Sequence, residues 1–202
     1  MNRINKSSPL LPLLIAGTLA LGSCGPAEPA AVEPPLAGAA IGGDFTLTNS
    51  KGEPVRWGDF AGKYRIVYFG YTFCPDVCPT DMQRVAQGLK LLKGQDADKA
   101  AKIVPIFITV DPERDTQKIV GEFAAAFSPD VVGLTGTPDQ IAAAAKAFGI
   151  YYEKGKPVEG GGYLVDHLRV TYLFGPDGKP IAMLPSDESG EAVAAELARW
   201  VS

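Results

Sequence analysis

Residues 65–80 read RIVYFGYTFCPDVCPT, and the architecture follows from how this stretch is read. Arg65 to Phe69 is a short run rich in β-branched and aromatic side chains, suited to a buried central strand. Two cysteines follow at once, Cys74 and Cys78, and each precedes a proline. Pro75 and Pro79 bias those cysteines away from helical backbone, and Pro79 is comfortable as a first helical residue. Cys74 to Cys78 therefore reads as a loop, with Cys78 at the N-terminus of the next helix. That helix is predicted from Thr80 to about Leu92, with Met82, Val85, Leu89 and Leu92 at helical spacing. The loop falls at the carboxyl end of a strand, where open α/β sheets place their sites. At a helix start, the dipole and free N–H groups favour a thiolate, the form that binds metals and attacks disulfides.

Upstream, Phe45 to Thr48 alternates, Asn49-Ser50-Lys51-Gly52 signals a turn, and Val55 to Trp57 forms the returning strand of a hairpin. Downstream, Ile103 to Val110 is a buried strand despite Pro105. Thr116 to Phe127 carries Ile119, Val120, Phe123 and Phe127 on one helical face, and Val131 to Leu134 is a short strand. Thr137, Pro138 and Gln140 open another helix with a capping box, and Gly149 stops it. Residues 155–162 (GKPVEGGG) read as a flexible loop. Val170 to Phe174 and Ile181 to Leu184 flank the turn Gly175-Pro176-Asp177-Gly178, and a last helix runs from about Glu191 to Val201. Strands alternating with helices, then a hairpin, then a helix, predict an α/β fold. Its central mixed sheet is flanked by helices and carries an extra N-terminal β-hairpin. A thioredoxin-like arrangement satisfies that order.

The N-terminus stands apart. Arg3 and Lys6 precede an apolar run from Leu10 to Leu21, too short to span a bilayer and fitting an export signal. It ends in Leu21-Gly22-Ser23-Cys24, which resembles the lipobox of bacterial lipoproteins and implies cleavage before Cys24 and lipidation of its sulfur. The expected organisation is a signal peptide over residues 1–23, an Ala/Pro-rich tether over 24–41, and one domain over 42–202. The formal charge is −4, and removing the signal leaves roughly −6. With no basic block, a nucleic-acid partner has no electrostatic support. A lipidated Cys24 also resolves an odd count of three cysteines, leaving the neighbours Cys74 and Cys78.

Two thiols at this spacing suit a soft ion such as Cu(I) or zinc, reversible disulfide chemistry, or a structural disulfide. The last is disfavoured because so small a loop contributes little entropic stabilisation. The single histidine, His167, precedes a strand that could carry it to the same sheet edge, with Asp166 beside it to orient the ring. Two thiolates and one imidazole make a copper site in either oxidation state, whereas a closed zinc site wants a fourth ligand. Asp111, Glu113, Arg114 and Asp115 read as a solvated turn with Asp115 capping a helix, or else as a docking surface near the metal. Met82 and Met183 read as core, and Tyr151, Tyr152 and Tyr163 as packing residues.

The segment from Phe69 to Thr80 resembles the Sco/SenC family of copper proteins. So do Thr109-Val110-Asp111-Pro112-Glu113-Arg114-Asp115-Thr116, Val165-Asp166-His167 and the opening Ile41 to Leu47. The likeness covers about residues 41–185. It implies a thioredoxin-like fold and one copper, as Cu(I) or Cu(II), held by Cys74, Cys78 and His167. It further implies delivery of copper to, or thiol maintenance of, the dinuclear copper site in cytochrome c oxidase subunit II. With Cys24 lipidated, the domain is expected on the periplasmic side of a bacterial envelope membrane. Metal carriage rather than catalysis is implied; the alternative is a thiol–disulfide oxidoreductase acting on exported proteins. Ordinary thioredoxins use CxxC and a proline opposite it, and no proline lies between Glu159 and Gly175. A peroxiredoxin wants threonine where Tyr71 stands. Phe73 and Leu168 depart from residues common in the family without removing a ligand.

Overall fold

A computed structural model describes Met1 and residues 32–158 and 161–202. Met1 apart, the expected signal peptide, the lipidation site at Cys24 and residues 25–31 of the tether lie outside the described residues.

Nine strands and five helices follow one another along the chain among the described residues. The hairpin β1 (Thr46–Asn49) and β2 (Pro54–Arg56) pairs Leu47 with Val55, as its turn signal predicts. Then come β3 (Tyr64–Gly70), α1 (Val77–Gln95), the single turn α2 (Ala97–Ala100) and β4 (Ile103–Thr109). Helix α3 (Gln117–Phe127), β5 (Val132–Thr135) and α4 (Pro138–Ala147) complete the parallel part. The chain ends with β6 (Tyr152–Pro157), β7 (Tyr163–His167), β8 (Thr171–Phe174), β9 (Pro180–Leu184) and α5 (Gly190–Trp200).

Seven strands form one mixed sheet in the order β2-β1-β5-β4-β3-β8-β9. β3, β4 and β5 run parallel, whereas β1 and β8 join antiparallel. All seven residues of β3 are buried, as a strand covered on both faces requires. Ile66 packs with Val85, Leu92, Val193 and Leu197 of α1 and α5. On the other face, Phe69 meets Phe148 at 5.4 Å between ring centroids, and Trp57 and Phe174 close the same aromatic group. Pro105 is tolerated inside β4 because β5 begins to pair only at Ile106, so no ladder partner is lost there. This is a thioredoxin-like sheet with an additional hairpin at its β1 edge.

Three expectations need correction. Residues 155–162 are not one loop: Gly155 to Pro157 belong to β6, which pairs with β7 as a separate two-stranded sheet. Met183 is 58% exposed on the outermost strand rather than core, while Met82 is buried as predicted. Tyr151 is exposed as well, so it is no packing residue. At the start of the domain, Leu36 donates its N–H to the Ile181 carbonyl and packs against the main core. Residues from Leu36 on are thus part of the folded body.

Candidate metal centre

β3 ends at Gly70, and the Cys78 sulfur lies against that bare backbone. A Cβ on Gly70 would stand 2.9 Å from Cys78 Sγ and 2.8 Å from the Tyr68 ring. The absent side chain is what lets the sulfur approach the strand end. α1 begins at Val77, two residues before the proline expected to open it, which places Cys78 inside the first turn. Cys78 is fully buried, Cys74 is half-buried, and both are free thiols. The N–H of Cys78 donates to Cys74 Sγ at 3.5 Å. The donor group at the helix start therefore serves Cys74. Cys78 itself is not favoured as a thiolate, contrary to expectation: burial pushes its thiol well above the ordinary range.

His167 is the last residue of β7, not a residue leading into the main sheet. Its Nε2 lies 3.3 Å from Cys78 Sγ, across 89 positions of sequence. Nδ1 stands 3.2 Å from the carbonyl oxygen of Leu168. A carbonyl only accepts, so Nδ1 carries the hydrogen and Nε2 turns its lone pair to the thiol. Leu168, not Asp166, orients the ring; Asp166 is exposed. Burial lowers the imidazole's proton affinity, leaving a neutral ring beside a neutral thiol. The rings of Tyr68 and Tyr71 stand edge-on to it, with centroids 6.2 and 5.9 Å away. Burial pushes the Tyr71 hydroxyl up to about 12.

Cys78 and His167 thus touch, and Cys74 adjoins Cys78. Among the described residues, no three Cys, His, Asp or Glu side chains stand close enough together to hold a metal as they lie. A cleft of about 690 Å³ is lined by Leu89, Lys93, Ile103 and Phe127 at the opening end of β4, away from the thiols.

The segment 111–115 is neither a solvated turn nor a simple cap. Asp115 is fully buried and accepts from Thr72 N–H (2.9 Å), Thr72 Oγ1 (2.6 Å) and Thr109 Oγ1 (2.6 Å). It ties the cysteine loop to β4, and Thr116 caps α3 instead, accepting from Ile119 N–H at 3.4 Å. Arg114 donates to Asp111 at 2.5 Å and to the Tyr163 carbonyl at 2.9 Å. Its guanidinium lies 3.7 Å from the centroid of Tyr163 and 5.0 Å from that of Phe73. Arg114 is thereby wedged between the β6–β7 hairpin and the cysteine loop. Tyr163 donates its hydroxyl to Asp111 at 2.7 Å, and Lys154 pairs with Glu113.

Sequence reasoning missed Tyr68, Asp81 and Arg169. Asp81 had a detectable signal: an acid on the face that Cys78, Met82 and Val85 bury. An acid on a buried helical stripe needs a partner.

A two-faced mixed sheet with a dithiol loop at the carboxyl end of its central strand, and an imidazole against the inner sulfur, defines a thioredoxin-like thiol–imidazole protein. Residues 33–202 match the model of the SCO1/SenC family, and the chain belongs to that family. It is 43% identical over 161 residues to protein SenC of Rhodobacter capsulatus, covering 78% of this chain and 69% of that one. Arabidopsis thaliana ScoI, solved with copper bound, superposes with a TM-score of 0.73 at 35% identity, over 79% of this chain and 98% of that one. BsSco is described as a Sco-family cytochrome c oxidase assembly protein with a disulfide switch. It matches at 26% identity and a TM-score of 0.60, over 79% of this chain and 92% of that one. The chain spans about half the length of the mitochondrial SCO1 homologues it matches, 55% for mouse and 52% for human.

Proposed function

We propose that Cys74, Cys78 and His167 bind one copper ion and that the domain passes it to a client, the dinuclear copper site of cytochrome c oxidase subunit II. The observation that carries this reading is the 3.3 Å contact between Cys78 Sγ and His167 Nε2. The donor set fits the ion: two sulfurs and one imidazole are soft to borderline ligands that favour copper over hard cations. Copper-bound ScoI of Arabidopsis supports the choice of metal. Cys78 gives up its proton on binding, the lone pair of His167 Nε2 is already aimed at the same point, and Cys74 turns from its half-buried loop to complete the trio. A site with three ligands, one of them the half-buried Cys74 thiol, can exchange them one at a time with those of a client. Lipidation at Cys24 would hold the domain at the periplasmic face of an envelope membrane.

Titrating residues 25–202 with Cu(I) under reducing conditions tests this reading. Wild type is expected to take up one ion, while Cys74→Ser, Cys78→Ser and His167→Ala lose or severely weaken it. Equal uptake by all four proteins would end it. A second reading, thiol–disulfide oxidoreductase, draws support from the adjoining free thiols and from the disulfide switch described for BsSco. Cys74 and Cys78 would then pass two electrons and two protons to a client disulfide and become a disulfide themselves. Client reduction by His167→Ala at the wild-type rate would favour it.

A further inference from the structure

Asp81 lies outside the proposed ligand set, yet it is fully buried one helical turn beyond Cys78. A carboxylate in such a place persists only with strong partners. Arg169 supplies a two-pronged one: Nε donates to Oδ2 at 2.8 Å and Nη2 to Oδ1 at 2.6 Å. The Tyr68 hydroxyl adds a third bond, to Oδ2 at 3.0 Å. These partners come from different parts of the fold. Arg169 sits two residues after His167, on the short link between β7 and β8, and Tyr68 lies in the central strand β3. The ring of that same tyrosine meets the imidazole edge-on. One carboxylate thus joins the cysteine helix, the central strand and the histidine segment at a single point. The imidazole needs such a joint, because the hairpin that carries it has no place in the main sheet.

We infer that the Asp81–Arg169 pair, with Tyr68 as its third member, is the positioning device that sets His167 against Cys78. Its consequence for copper rests on the ligand set proposed above, whereas its effect on the imidazole can be read without metal. A pair that only stabilised the fold would leave the ring where it is when both members are replaced by apolar side chains of similar volume.

His167 is the only histidine in the chain, so its ring protons are a unique NMR reporter. The experiment compares wild type, the double variant Asp81→Leu/Arg169→Met, and Arg169→Lys, which keeps the charge but loses the fork. Each is read by thermal melting, by the His167–Tyr68 nuclear Overhauser cross-peak in the reduced protein, and by Cu(I) competition against a chelator. The double variant is expected to melt cooperatively, to lose the cross-peak and to weaken copper by roughly 10- to 100-fold. Arg169→Lys is expected to fall between it and wild type. A folded double variant with the wild-type cross-peak and copper affinity would overturn the inference. Should the double variant not fold, Arg169→Lys and Arg169→Gln decide by the same cross-peak, and wild-type intensity in both would overturn it. Failure of the wild type to take copper would sink the proposed function, while the cross-peak would still decide the positioning role.

Discussion

Strand β3 and helix α1 bring the cysteines to the site from the interior, whereas the β6–β7 hairpin brings the histidine from outside the main sheet. In the first region every residue of β3 is buried, and the Cys78 sulfur closes over the bare backbone of Gly70 together with the rings of Tyr68 and Phe107. In the second, β6 is largely exposed, and only Val165 of β7 is fully buried. A few polar tethers take the place of a core there: Tyr163 on Asp111, Arg114 on Tyr163, Arg169 on Asp81. The thiol is thus preorganised by shape and the imidazole by hydrogen bonds. Substitutions in the first region should report as loss of global stability. Substitutions in the second should report as local opening and a loosened ligand.

Gly70→Ala should break the comparison most severely. The new methyl meets the Tyr68 ring, Cys78 Sγ and Phe107 at once, none of which can yield without repacking. Overpacking of this kind costs about 1–3 kcal/mol, measurable by denaturant unfolding, and it should displace Cys78 as well. A variant as stable as wild type would show that the sulfur is not held by packing.

Asp115→Asn tests the polar side of the same rigid region. The carboxylate accepts three hydrogen bonds, and an amide nitrogen cannot accept, so donors on Thr72 or Thr109 lose their partner. The loss should be about 1–3 kcal/mol at neutral pH. Burial raises the Asp115 carboxyl above its ordinary value. The native state therefore holds more protons than the unfolded one between those two values, and wild-type stability from this group falls as pH rises through that window. Asparagine does not titrate, so the gap between wild type and variant should widen as pH drops. A gap that narrows on acidification would contradict the assignment.

Tyr163→Phe removes the bond to Asp111 and should cost about 0.5–1.5 kcal/mol. Hydrogen exchange should then quicken in residues 152–167 while β3 keeps its protection; equal quickening in both would deny that the hairpin opens separately. Phe73→Ser, at an exposed side chain whose ring faces the Arg114 guanidinium at 5.0 Å, should cost no more than about 1 kcal/mol. Under the proposed function, its larger effect should appear in transfer to a client, as expected of a surface residue beside the thiols.

The two regions also differed in how far they could be read from sequence. The β3–α1 module follows from local rules: a buried strand run, prolines after the cysteines and a helical apolar stripe. Gln140 and Thr137 likewise form the capping box that their spacing predicts. The hairpin was harder, because GKPVEGGG carries turn residues and little apolar alternation. Its pairing is set by the ladder with Tyr163–His167 and by Arg114 from a distant loop. Tertiary burial also reversed two local expectations. The helix N-terminus argued for a Cys78 thiolate, but desolvation prevails there. Asp115 had the chemistry of a cap, but the neighbouring Thr116 took that role and freed the carboxylate to bind Thr72.

X-ray absorption at the copper edge, on reduced protein loaded with one equivalent, addresses the central proposal most directly. Wild type should show two sulfur scatterers and one imidazole, and His167→Ala should lose the imidazole signature while keeping both sulfurs. An identical spectrum from the two proteins would mean that the ring against Cys78 never reaches the metal.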